Sequence, residues 1–224
     1  MQKRAHTGSM TQRRISIRPL LLIQLFVLQM ASSFALAQVD SPIPAHITVA
    51  IFEDDPAHID SWDAIFAALR RNLPEAAAVA PAIDPDPDLI RGDSIVPGMN
   101  VSAAVVIYLR GDCTLHPLRK PFPQGEALGW VYEQSGKIQP YIFVDCARID
   151  QVLSALAEHM SRNQRTTAIS EAIARVILHE WIHIASQRSS HHSAGLGKAH
   201  FSVEDLIPST VGNAVARGYN SRFP

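Results

Sequence analysis

One long amphipathic segment constrains this chain more than any other. Across residues 164–188, Ile169, Ala172, Ile173, Val176, Ile177 and Ile184 recur at helical spacing and form a core face. Late in the same segment stands His179-Glu180-Trp181-Ile182-His183. Residues four apart share one face of a helix, so both imidazoles can hold one Zn²⁺ while Glu180, one step round, reaches a water that the metal activates. The metal would lower the water's pKa and polarise a carbonyl, and the carboxylate would take and return the proton. A short motif recurs by chance in a chain with ten His, and the competing reading is a helix whose two His are merely surface or core residues. The amphipathic context favours the metal.

The N-terminus reads as an export signal. Lys3, Arg4, Arg13, Arg14 and Arg18 precede an apolar run over residues 20–30, and Ala35-Leu36-Ala37 supplies a small-residue cleavage site, so residues 1–37 are expected to be removed after Ala37. An uncleaved anchor is the alternative, but Gln24 and Gln29 interrupt the run, which falls short of the ~20 residues a spanning helix needs. Arg13-Arg14 also fits a twin-arginine signal, and Met10 is an alternative start. The expected product is secreted or periplasmic, with no stable membrane association once the signal is cleaved.

Residues 38–224 then carry fifteen Lys and Arg against twenty-one Asp and Glu, a net charge of −6 with His neutral. That balance argues against a nucleic-acid partner. Their length suits a single domain with a proper core. Cys113 and Cys146 both survive processing. In an oxidising compartment an even pair is expected to form a disulfide, and each follows a predicted strand, so adjacent strand ends would bring them together; two free thiols are the alternative.

The pattern over residues 46–53 predicts an inner strand, followed by a helix capped by Asp60 or Ser61 and ending before Pro74. Residues 74–100, rich in Pro and Asp, read as a long surface loop with at most a short helix at 75–79. Residues 101–109 predict a central strand. Residues 128–133 and 138–145 flank Gln134-Ser135-Gly136-Lys137 as a hairpin, with Pro140 demanding a break or bulge in the second arm. Asp150 is a plausible N-cap for a helix to about Ser161. A short helix begins at Ser202 and stops at Pro208.

A catalytic zinc usually takes three protein ligands, which leaves His191, His192, His200 and Glu204 as candidates for the third. Glu204 has a structural alternative as a first-turn acid favoured by the helix dipole. The motif and the order strand, helix, strand, hairpin, motif helix resemble the zincin metallopeptidases, and the arrangement after the helix is more like the metzincin clan than the thermolysin-like group. In His-Glu-x-x-His-x-x-Gly-x-x-His, Ser186 stands in the place of the glycine and Ser189 in that of the third His. Two extra residues bring His191 into that place, and Gly195-Leu196-Gly197 falls where a turn beneath the metal is expected, without the clan's methionine. Segments around Cys113, Trp130, Cys146 and the motif also look like those of small secreted bacterial zincin-like proteins, over roughly residues 45–207.

The resemblance implies an α+β zincin domain, a twisted mixed sheet of about four strands packed against helices, with the motif on the active-site helix. It implies a secreted zinc metallopeptidase acting on a peptide or protein substrate, with zinc on His179, His183 and His191 and Glu180 as general base. It further implies that the strand before the hairpin, at Leu128, Gly129 and Trp130, receives an extended peptide along its edge, Gly129 letting another backbone approach. The rival reading is a catalytically idle zincin fold serving as a binding or structural module; a non-peptidase metal-assisted hydrolase is weaker.

Overall fold

Alternating aliphatic positions build the sheet. The computed structural model describes residues 47–54, 59, 61–99, 101, 104–117 and 127–207, and the signal expected over residues 1–37 lies outside them. Five strands occur among the described residues: β1 (Thr48–Asp54), β2 (Asp88–Arg91), β3 (Ala104–Arg110), β4 (Gly129–Gln134) and β5 (Lys137–Asp145). Their order is β2-β1-β3-β5-β4, parallel throughout except for β4, which runs antiparallel to β5. The fold is therefore mixed α+β, with a mostly parallel sheet and helices α1 (Trp62–Val79), α2 (Cys146–Ala157), α3 (Arg162–Ser186) and α4 (Val203–Leu206).

Val49, Ile51, Val105, Ile107, Leu109, Ile142 and Val144 are buried at alternate positions and join Leu69, Leu73, Leu153, Ile169 and Ile173 of the helices in one hydrophobic cluster. The alternate face carries a ladder of rings in register across four strands, Phe52, Tyr108, Phe143 and Trp130, with successive centroids 5.6, 5.3 and 5.5 Å apart. Cross-strand aromatic pairs of this kind fix register as well as adding packing energy.

Several expectations are corrected. The sheet has five strands among the described residues, not about four. The additional one, β2, lies inside the stretch read as loop; four residues between Pro87 and Gly92 are too few to display a period, and parallel pairing with β1 holds them extended. α1 does not end before Pro74 but passes through it to Val79. Proline costs the helix one hydrogen bond, and tertiary contacts outweigh that loss: Ala76 is fully buried and Glu75 receives Arg175 of α3 at 3.3 Å. The N-cap of α2 is Asp145, whose side chain accepts from the N–H of Arg148, and not Asp150, which is buried and accepts the N–H of His116 at 2.7 Å.

Other expectations agree with the structure. Ser135 and Gly136 both have positive φ, as a two-residue type I′ hairpin requires. The β4–β5 register shifts between Val131 and Glu133, and β5 pairs with β3 only from Tyr141 onward, so Pro140 sits where no ladder needs its missing N–H. Cys113 and Cys146 form a disulfide that joins the end of β3 to the start of α2, with Cα atoms 4.7 Å apart.

α3 is held in rotation by a polar network. The buried Glu171 carboxylate receives Arg71 and Asn72 of α1, and Arg175 donates to Asn72 at 2.9 Å. A buried charge must be paired in this way, and the pairing fixes which face of α3 turns towards β4 and β5.

Candidate metal centre

α3 begins with a capping box, Ser161 and Gln164 exchanging side-chain bonds with each other's backbone N–H, and ends where Gln187 enters the left-handed region at φ 51°. The Gln187 amide then grips the hairpin: its Nε2 donates to the Ile138 carbonyl (2.9 Å) and its Oε1 accepts the Ile138 N–H (3.2 Å). This reversal folds the following loop back beside the helix.

The loop orients both motif histidines. His183 Nδ1 donates to the Arg188 carbonyl (2.6 Å) and His179 Nδ1 to the Leu196 carbonyl (2.7 Å). Each ring is thereby set in the tautomer whose Nε2 lone pair is free, the form a metal requires. The two Nε2 atoms lie 3.2 Å apart. Tetrahedral zinc with nitrogen ligands at 2.0–2.1 Å needs about 3.3 Å between them, so the pair fits. His191 closes the group: its ring stacks against His179 (centroids 5.2 Å) and meets His183 edge-on (4.8 Å), and one donor atom from each of the three lies within 4.8 Å of the others. Three histidines can thus hold a metal ion here, two of them buried and His191 exposed on the open side.

The other ligand candidates lie elsewhere. His192 donates its N–H to the Gly197 carbonyl (2.7 Å) and rests its ring on Gly197, where a Cβ would come within 2.7 Å of the imidazole. His200 lines the open side, close enough for its charge to lower the pKa of His191. Glu204 is fully exposed in the first turn of α4, where hydrogen bonds from its own backbone and from Ser202 hold its carboxyl below the usual range.

Burial sets the protonation states. It lowers His179 to about 4, against a partial raising by the Leu196 carbonyl, with His183 and His191 lowering it further. His191, although exposed, is lowered by partial desolvation and by the charges of His183 and His200. Both shifts favour the neutral forms of His179 and His191. Glu180, 7% exposed, is raised by burial to about 7, which suits a carboxylate that must both take and return a proton near neutrality.

The triad opens into a cleft of about 1340 Å³ that includes Leu128 and, on β4, Gly129 and Trp130; β4 is one of the two edge strands of the sheet among the described residues. Gly129 is closely approached from within the protein. The neighbour that approaches it is α3 itself: a Cβ there would stand 2.6 Å from Val176 Cγ1. Leu128 and Trp130 are half-buried, and Trp130 stacks on Phe143. Sequence reasoning missed the Arg188 and Leu196 carbonyls, because main-chain acceptors have no residue-type signature, and also Phe201, whose ring stands edge-on to His179 at 5.2 Å. No protein-family model, curated protein or solved structure matches the chain.

Proposed function

We propose that this protein is a zinc-dependent peptidase of zincin type, metzincin-like in the turn after its motif helix, exported to the periplasm or beyond. The observation that carries the reading is the meeting of three imidazoles with a buried carboxylate, Glu180, at the floor of a cleft bounded by a strand edge. Imidazole ligands suit several transition metals. A set of three with an adjacent base matches zinc, which when bound supplies Lewis-acid polarisation of a carbonyl and acidifies a water.

The chain's own residues do the rest. His179, His183 and His191 hold the ion, and the Leu196 and Arg188 carbonyls keep two of them aimed. Glu180 accepts a proton from the attacking water and returns it to the leaving amine. The outer edge of β4, unpaired among the described residues, offers N–H and C=O groups to an extended peptide. Glu180 also bears on the alternative of an idle binding module, since such a module has no need of a carboxylate between its ligands.

The test is metal content and cleavage together. Wild type should hold one zinc per chain and cleave members of a peptide library, and Glu180→Gln should hold zinc and cleave none. His191→Ala should lose zinc, whereas His192→Ala and His200→Ala should keep it. Zinc retained in His191→Ala moves the third ligand elsewhere; zinc without cleavage by wild type leaves the idle module standing.

A further inference from the structure

The charges lining the cleft are unevenly partnered. Its cations are already engaged: Arg148 pairs with Asp145 at 3.1 Å and donates to the Ala127 carbonyl at 2.9 Å, and Lys198 pairs with Asp205 at 2.6 Å. Of the carboxylates on its lining, Asp205 alone has a cationic partner among the described residues; Glu133 of β4 and Glu158 just past α2 are two of those without one. Gln151 stands on the same lining with its Oε1 buried and without a hydrogen-bond donor among the described residues. An orphaned acceptor is unfavourable, and the terminal torsion of a Gln amide is soft enough to turn the oxygen into the cleft when a donor arrives.

α2 arranges these groups with a regular spacing. Gln151, Val152, Ala155 and Glu158 all face the cleft, so one side of the helix forms a wall that is polar, then aliphatic, then acidic. Positions 151 and 158 are seven residues apart, about 10.5 Å along a helix. An extended lysine spans about 6 Å from Cα to its ammonium, and with a hydrogen bond of about 3 Å at each end it reaches about 12 Å, of the order of that separation.

We propose that this wall is a subsite for a Lys or Arg residue of the polypeptide substrate, an inference that rests on the peptidase reading. The residue's main-chain N–H meets Gln151 Oε1, its methylenes lie along Val152 and Ala155, and its cationic head meets Glu158. The unpaired Glu133 adds to a field that draws basic rather than acidic segments into the cleft.

Matched peptides carrying Lys, norleucine or Glu at a single position provide the test, in two readouts. In cleavage by the zinc-loaded enzyme, Lys at one fixed distance from the scissile bond should raise kcat/KM at least tenfold over norleucine. Glu158→Gln should remove most of that preference, Gln151→Leu should lower cleavage of the Lys peptide, and Glu158→Lys should turn the preference towards Glu. In binding to the Glu180→Gln protein, the same Lys preference should appear in Kd. Equal rates for Lys and norleucine, or a preference unchanged in Glu158→Gln and Glu158→Lys, overturn the subsite. If wild type cleaves nothing, the peptidase reading falls, and the binding arm alone decides: a Lys preference that Glu158→Gln abolishes supports the subsite, and equal binding overturns it.

Discussion

Gly129 of β4 lies directly against Glu180 of α3: a Cβ on the glycine would stand 3.2 Å from Glu180 Cγ. The strand edge and the Glu180 carboxylate are thus set against each other by the absence of one methyl group, so the distance between β4 and Glu180 depends on residue 129. Gly129→Ala should push α3 outward at Val176 and Glu180. We expect a loss of about 1–3 kcal/mol in stability, typical of an overpacked core, and a fall of at least tenfold in kcat/KM with zinc content near normal. Wild-type rates in a folded Gly129→Ala protein would show that the contact does not position Glu180.

The pH dependence of the metal-free protein carries two opposed contributions. His179 is lowered from 6.5 to about 4, so between those values the unfolded chain binds more protons and stability rises with pH. Glu180 is raised from 4.5 to about 7, so over that window the folded chain binds more protons and stability falls as pH rises. Between pH 4.5 and 6.5 the two cancel. Glu180→Gln removes the second term, so urea unfolding of chelator-treated protein should show the stability difference between variant and wild type shifting by on the order of 3 kcal/mol, in favour of the variant, from pH 4.5 to 6.5. A constant difference would mean that Glu180 is not raised.

The Cys113–Cys146 bridge closes a loop with a sequence separation of 33 and pins the start of α2, which walls the cleft. By loop-closure entropy such a bridge contributes about 3–4 kcal/mol. The double variant Cys113→Ala/Cys146→Ala should therefore unfold at markedly lower urea, and mass spectrometry of the non-reduced wild type should find the two peptides crosslinked. Two alkylatable thiols in the freshly isolated protein would sink both expectations.

What the sequence made legible was whatever repeats or is spelled by residue type. Ile169 to Ile184 displayed a helical period over several turns, Ser135-Gly136 named its turn, and the motif named two of the three clustered histidines. β2 was hidden because four residues cannot show a period, and Asp145 was overlooked as a cap because it also reads as the end of a strand. His191 could be reached only through the length of a loop, since nothing in its own neighbourhood distinguishes it from His192. The carbonyls of Arg188 and Leu196 were out of reach altogether: their role comes from where the chain turns, not from which side chains they carry.

That turn is set by Gln187, and its two contributions to stability oppose each other. A non-glycine residue in the left-handed region costs about 1 kcal/mol or slightly more, so Gln187→Gly relieves the backbone. It also deletes an amide that bonds both main-chain groups of Ile138 and the Ile184 carbonyl, each at 3.2 Å or less. Three such bonds contribute about 0.5–1.5 kcal/mol apiece, and their sum exceeds the relief. We therefore expect Gln187→Gly to lose about 1–2 kcal/mol despite its better backbone. Because the next carbonyl, Arg188, holds His183 at 2.6 Å, a loosened turn should also weaken metal retention, measured as the zinc left on the protein against a competing chelator. A Gln187→Gly protein that is more stable and equally retentive would mean that the backbone alone, and not the grip on the hairpin, shapes the ligand loop.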